Sequence, residues 1–225
     1  MKLLREINEL SETNFLKEDG EVPGVKNYYI EGVFIQADLQ NRNGRIYPSD
    51  VIENAVEVYR EAFINKRRAF GELDHPNTPN LNLSRASHLI TELTREGSNW
   101  IGRAKIMDNE HGKRIKNFMD EGCTLGISSR GLGSTKTVRG SSVIQDDFFF
   151  ITAGDIVADP SAPDAFLNNL VEGIEWAMRE DGTWLAEEQL RLKAKADEIT
   201  REYGQLKEEK EEAFLALFQK FLQKL

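Results

Sequence analysis

Gly126-Ile127-Ser128-Ser129-Arg130-Gly131-Leu132-Gly133-Ser134 is the stretch from which the fold reads outward. An apolar lead-in from about Thr124 predicts a strand, and the glycines after the two serines predict a tight turn that receives it. A serine delivered in this way fits nucleophilic acyl transfer once an imidazole can take its proton. The chain holds three histidines, His75, His88 and His111, all upstream of Ser128. The α/β-hydrolases run serine, acid, histidine along the chain, and their elbow is Gly-x-Ser-x-Gly. Both the order and the Gly-x-Ser-x-x-Gly spacing found here exclude that fold.

Downstream, Val143 to Val157 contains Phe148-Phe149-Phe150-Ile151 and predicts a strongly apolar strand. Upstream, residues 28–37 are rich in β-branched and aromatic side chains and predict a strand, and 86–96 with 99–107 predict a strand pair about Gly97-Ser98-Asn99. Helical periodicity covers about 49–65, with Ser49 as its cap, about 110–121 and about 164–180. Strands that do not alternate with helices predict an α+β domain built on an antiparallel barrel or sandwich. Residues 1–24 read as a mobile leader, 25–180 as the folded domain, and 181–225 as a helical extension. More than half of Glu187–Glu212 is charged, and Phe214, Leu217, Phe218, Phe221, Leu222 and Leu225 then form an apolar stripe in need of a partner.

Composition narrows the function. The net charge of −9 over 225 residues argues against binding nucleic acid through its phosphates. No apolar run reaches the ~20 residues of a membrane span, and the charged N-terminus does not read as a signal peptide. One cysteine, Cys123, excludes an internal disulfide and fits a reducing compartment, read as strand packing. No metal or cofactor site is expected.

The candidate site pairs Ser128 with His75 in Gly71-Glu72-Leu73-Asp74-His75-Pro76. Ser129 competes for the nucleophile's role, and since neighbours on a strand face opposite ways, only one can meet the imidazole. Asp155, an acid inside an apolar run, is the best-placed group to orient His75 and needs a partner if buried. Glu72 and Asp74 stay open as alternatives. Amides of the turn at Ser129, Arg130 and Gly131, with the Arg130 guanidinium, are expected to bind an oxyanion or substrate.

Five ordered blocks make the chain recognisable: Tyr29-Ile30-Glu31-Gly32-Val33-Phe34, Asn41-Arg42-Asn43-Gly44-Arg45-Ile46-Tyr47-Pro48, the His75 block, the Ser128 block, and Pro160-Ser161-Ala162-Pro163-Asp164-Ala165. In these the chain resembles the prohead (procapsid) maturation proteases of T-even-type tailed bacteriophages. The resemblance implies a serine endopeptidase with an assemblin-like fold, a β-barrel surrounded by helices. It implies Ser128 as nucleophile and His75 as base. Assemblins place a second histidine after the serine; none follows Ser128 here, so Asp155 is expected to take that role.

By the same likeness the enzyme is a zymogen that acts in the host cytoplasm, inside the assembling procapsid. It would cleave scaffold and major capsid proteins, and itself, after glutamate in Leu/Ile-x-Glu motifs. Leu10-Ser11-Glu12, Leu170-Val171-Glu172 and Leu185-Ala186-Glu187 are the matching triplets in the flanks. The tail helix would dock on the scaffold core or self-associate. The alternative is an inactive, protease-like scaffold protein of the procapsid.

Overall fold

The structure, a computed structural model, describes residues 1–7, 14–20, 26–41, 43–76, 78–158, 175–179, 181–202 and 219. The chain divides into two compact units, Met1–Glu172 and Gly173–Leu225.

In the first unit, β1 (Lys2–Ile7), β2 (Asn14–Asp19), β3 (Lys26–Gln36) and β4 (Arg45–Ile46) precede helix α1 (Ser49–Tyr59). A short π-helical turn, Arg60–Ile64, prolongs the helix, and β5 (Phe70–Glu72), β6 (Ala86–Glu96) and β7 (Asn99–Ile106) follow. After α2 (Glu110–Asp120) come β8 (Gly126–Gly133), β9 (Thr135–Val138), β10 (Ser141–Ile144) and β11 (Phe149–Val157).

Three sheets result, ordered β2-β3-β7-β6-β5, β1-β8-β11 and β4-β10-β9. A parallel bridge between Leu73 and Ile156 joins the end of β5 to β11 and so stitches the first two sheets together. The fold is α+β and mostly strand, as expected. No ladder among the described residues joins β1 to β2, so the strand pairings do not by themselves close the expected barrel.

Alternation decides which faces are buried. Ile30, Phe34, Ile90, Ala104, Ile106, Ile127, Phe150 and Ile156 form the core, onto which α1 lays Val51, Ile52, Ala55, Val56 and Tyr59. Gly102 faces the Phe34 ring so closely that a Cβ there would meet ring carbon at 2.3 Å, which is why the strand uses glycine at that point.

Several expectations change. Ser49 is the first helical residue rather than the cap; the Asp38 carboxylate accepts its amide at 2.9 Å and does the capping from outside. Within the segment read as a mobile leader, residues 2–7 pair with β8 and 14–19 pair with β3, and Leu3 and Leu4 are buried. Charge misled there, because pairing in a sheet is made by the backbone and charged side chains at its edge do not prevent it. The strand expected over 143–157 breaks at 145–148, where the Phe148 amide turns back to the Gln145 carbonyl. Cys123 is exposed, ahead of the strand.

In the second unit, β12 (Trp176–Met178) and β13 (Trp184–Ala186) form a hairpin that runs into α3 (Glu187–Glu202). The helix expected over 164–180 therefore gives way to strand at 176–178. Asp181-Gly182, with Gly182 at φ +80, is the turn signal that periodicity overlooked. Residues 159–174 and the apolar tail stripe lie outside the described residues.

Candidate active site

Ser128 and Arg130 are two apart on β8 and so share one face, while Ser129 takes the other. Opposite them, β11 carries two one-residue register shifts, between Phe150 and Thr152 and between Thr152 and Asp155. Continued without them, the Phe149–Leu132 register would set Ala153 across from Ser128; the shifts bring Asp155 there instead. Bulges of this kind re-aim a side chain without ending the sheet.

His75 arrives from the third direction. Asp74 adopts a left-handed conformation, φ +70, and its carboxylate accepts the His75 amide at 2.8 Å. Aspartate tolerates that geometry because its side chain can close such a local bond. The Asp74 amide donates to the Ile156 carbonyl at 2.8 Å, which pins the turn against β11 one residue from Asp155.

The result is a hydrogen-bonded chain. Ser128 Oγ lies 2.5 Å from His75 Nε2, and His75 Nδ1 lies 2.8 Å from Asp155 Oδ2. Asp155 accepts at both oxygens, so the proton of a neutral imidazole sits on Nδ1 and Nε2 is left to accept from the serine hydroxyl. Ser128 and Asp155 side chains are fully buried, and the His75 side chain keeps 10% exposure. Geometrically this is the arrangement that makes a hydroxyl nucleophilic.

Burial opposes the ionisation of Asp155. Against it stand the Arg130 guanidinium, with Nε at 3.0 Å, the bond from His75, and the Glu72 amide at 2.9 Å. These prevail and hold the carboxyl below the usual carboxylate range.

Arg130 is placed differently from the expectation. Residues 129–133 continue the strand rather than forming a turn, and their backbone is laddered to β1 and β11. The Arg130 side chain is fully buried and committed to Asp155, Glu72 and the Thr78 carbonyl, so an oxyanion role for it has no support. Gly131 is required by packing, since a Cβ would meet the Phe148 ring at 2.5 Å. Ser129 is 5% exposed.

Glu72, left open by the sequence, is fully buried and ion-paired to Arg130. A lone acid between Gly71 and Leu73 was the legible sign that a counter-charge had to exist. His88 is buried away from this chain: its Nε2 donates to the Gly154 carbonyl at 2.9 Å, and Nδ1 accepts from Ser87 at 2.9 Å. His111 sits in the first turn of α2. Among the described residues no group of acidic, histidine and cysteine side chains could hold a metal ion.

A family model described as prohead core protein serine protease matches residues 5–175. The chain is 37% identical over 153 residues to the prohead core protein protease of Enterobacteria phage T4, covering 66% of this chain and 72% of that relative. The solved structure of the bacteriophage T4 capsid assembly protease is similar with a TM-score of 0.64 at 28% identity, over 69% of this chain and 97% of that one. Since the family match runs through β5, β8 and β11, which assemble the Ser128–His75–Asp155 chain, this protein belongs to the prohead core protein serine protease family.

Proposed function

We propose that the chain is a serine endopeptidase of procapsid maturation, with Ser128 as nucleophile, His75 as general base and Asp155 as the group that orients and stabilises the imidazolium. His75 Nε2 takes the hydroxyl proton as Oγ attacks the scissile carbonyl, and returns it to the leaving amine; water then releases the acyl group by the same route. The hydrogen-bonded chain from Ser128 Oγ through His75 to Asp155 is the observation that carries this reading.

The substrates are proposed to be the scaffold and capsid proteins and the chain itself, cut after glutamate in Leu/Ile-x-Glu sequences, inside the assembling procapsid. Of the three triplets in the flanks, Glu12 and Glu172 lie outside the described residues. The Glu187 backbone amide donates a hydrogen bond to the Glu175 carbonyl at 2.7 Å, at the junction of β13 and α3. The apolar tail is proposed to dock on the scaffold core or on a second copy.

Ser128→Ala should abolish cleavage of a Leu-x-Glu-Gly peptide, by about 10⁴-fold or more, with an unchanged circular dichroism spectrum. A fluorophosphonate should label Ser128 in the wild type and nothing in the variant. Labelling of Ser129 would move the nucleophile. A wild type that neither cleaves nor labels would favour the inactive scaffold protein.

A further inference from the structure

Behind Asp155 lies a second, fully buried ion pair that the acyl-transfer chemistry does not itself use. Arg130 spends its guanidinium three ways: Nε on Asp155 Oδ2 at 3.0 Å, Nη1 on the Thr78 carbonyl at 2.7 Å, and Nη2 on Glu72 Oε2. Glu72 answers with its other oxygen, which accepts the Asn82 amide at 2.9 Å, while its own amide donates to Asp155 Oδ1 at 2.9 Å. Thr78 and Asn82 both belong to the loop, residues 73–85, that carries His75.

We infer that Glu72 and Arg130 act as a positioning pair, clamping the His75 loop and Asp155 into a single unit. The inference rests on the triad reading above and assigns to both residues a role no likeness supplied. Their bonds run to Asp155, to the Thr78 carbonyl and to the Asn82 amide, so they act through the imidazole's partner and its loop, as positioning rather than catalytic residues.

Three charges, Glu72, Arg130 and Asp155, share one dry pocket, each with 0% exposure. Taking such groups out of water costs several kcal/mol per ion unless good geometry and further bonds repay it. A core could be built more cheaply from apolar side chains of similar size, so the pair is not there for stability alone. What it supplies is direction. A planar guanidinium fixes three acceptors in one plane, which a flexible ammonium cannot do. With the pair in place, Asp155 has no freedom to rotate away from Nδ1, and the loop is tied at two points on the far side of the imidazole. Beyond the Leu73–Ile156 bridge and the Asp74 amide bond to Ile156, no ladder among the described residues holds the proline- and asparagine-rich stretch from Leu73 to Asn82.

Charge makes the inference testable, because the two partners have opposite sign. The acid limb of the pH–rate profile reports proton uptake at the active site. Arg130→Met removes a nearby positive charge and should raise that limb by about one pH unit or more. Glu72→Gln keeps the shape and the Asn82 bond but removes a negative charge, so it should move the limb down. Both should lower the fluorophosphonate labelling rate of Ser128 by about tenfold or more, since misorientation of an orienting acid is costly. The small probe bypasses peptide pockets, and KM for the peptide should stay within about twofold. Arg130→Lys, which keeps the charge and loses the fork, should slow labelling with little movement of the limb.

Rates are expressed per folded molecule, with thermal melting as the control. Limbs that move in opposite directions for the two charge changes sustain the inference. Lowered melting temperatures with unmoved limbs and unchanged labelling would reduce the pair to a structural tie and overturn it. A raised KM in Arg130→Met, with Glu72→Gln indistinguishable from wild type, would make Arg130 a substrate-binding group and also overturn it. If Arg130→Met does not fold, Glu72→Gln alone decides, since its downward shift is required. Failure of the triad reading is distinct: the wild type itself would then fail to label at Ser128.

Discussion

Asp155 and His88 titrate against the fold at different pH, and both signs follow from their surroundings. Asp155 is held below its unfolded value of about 3.9, after burial is outweighed by Arg130, His75 and the Glu72 amide. Its contribution is therefore complete above about pH 4 and lost as the pH falls through the lower folded value. His88 is driven the other way from protonation, chiefly by burial, although the Gly154 carbonyl and Asp155 partly offset it. The unfolded chain takes up that proton near pH 6.5 while the folded one resists, so stability begins to fall below about pH 6.5. Urea midpoints taken from pH 8 to pH 3 should show both losses. His88→Gln should flatten the upper one and Asp155→Asn the lower. At this scale the three side chains that the fold brings together, Ser128, His75 and Asp155, could be singled out in the sequence, because motif order and an acid in an apolar run each leave a local trace. The Glu72–Arg130 pair left only half a trace. Glu72 read as an open alternative and Arg130 as an oxyanion group, because their meeting depends on a pairing of β5 with β11 that no local pattern encodes.

Among the elements, β5 is the shortest strand of its sheet and the one that carries the site's approach. Gly71, in its middle, faces His88 Nε2 and the Gly154 carbonyl so closely that a Cβ would lie 2.1 and 2.3 Å from them. Neither neighbour can yield, since one is backbone and the other is bonded on both ring nitrogens. Gly71→Ala should therefore cost about 1–3 kcal/mol or more, read by urea denaturation. It should also slow labelling of Ser128, because β5 and β11 would have to part. The strands from 86 to 106 were legible because apolar residues flank a Gly97-Ser98-Asn99 turn, and helix α2 because Gly122 marks its end. The bulges of β11 were not, because an inserted residue looks like any other until its partner strand is known. The hairpin at Trp176–Ala186 was missed for a related reason: two short apolar runs about an Asp-Gly turn can be mistaken for one helix.

The molecule as a whole depends on its N-terminal strand. Leu3 and Leu4 of β1 are buried, at 1% and 3% exposure, so neither side of this strand is a bystander. Leu4→Ala should cost about 2–5 kcal/mol, as for other buried leucines, and a chemical denaturation series would read it. The sequence concealed this because β1 carries its apolar residues adjacent, within charged flanks, and only a sheet with filled surroundings on both sides can use them.

Because β1 runs along one side of β8 and β11 along the other, the strand bearing Ser128 is an interior strand. Its amide groups point alternately to the two neighbours. Those facing β11 are locked by the heart of the unit, whereas those facing β1 are guarded by a single six-residue strand. Solvent deuterium would reach the two sets at different speeds, and the gap between them is a built-in clock for how often the wall beside the serine peels open.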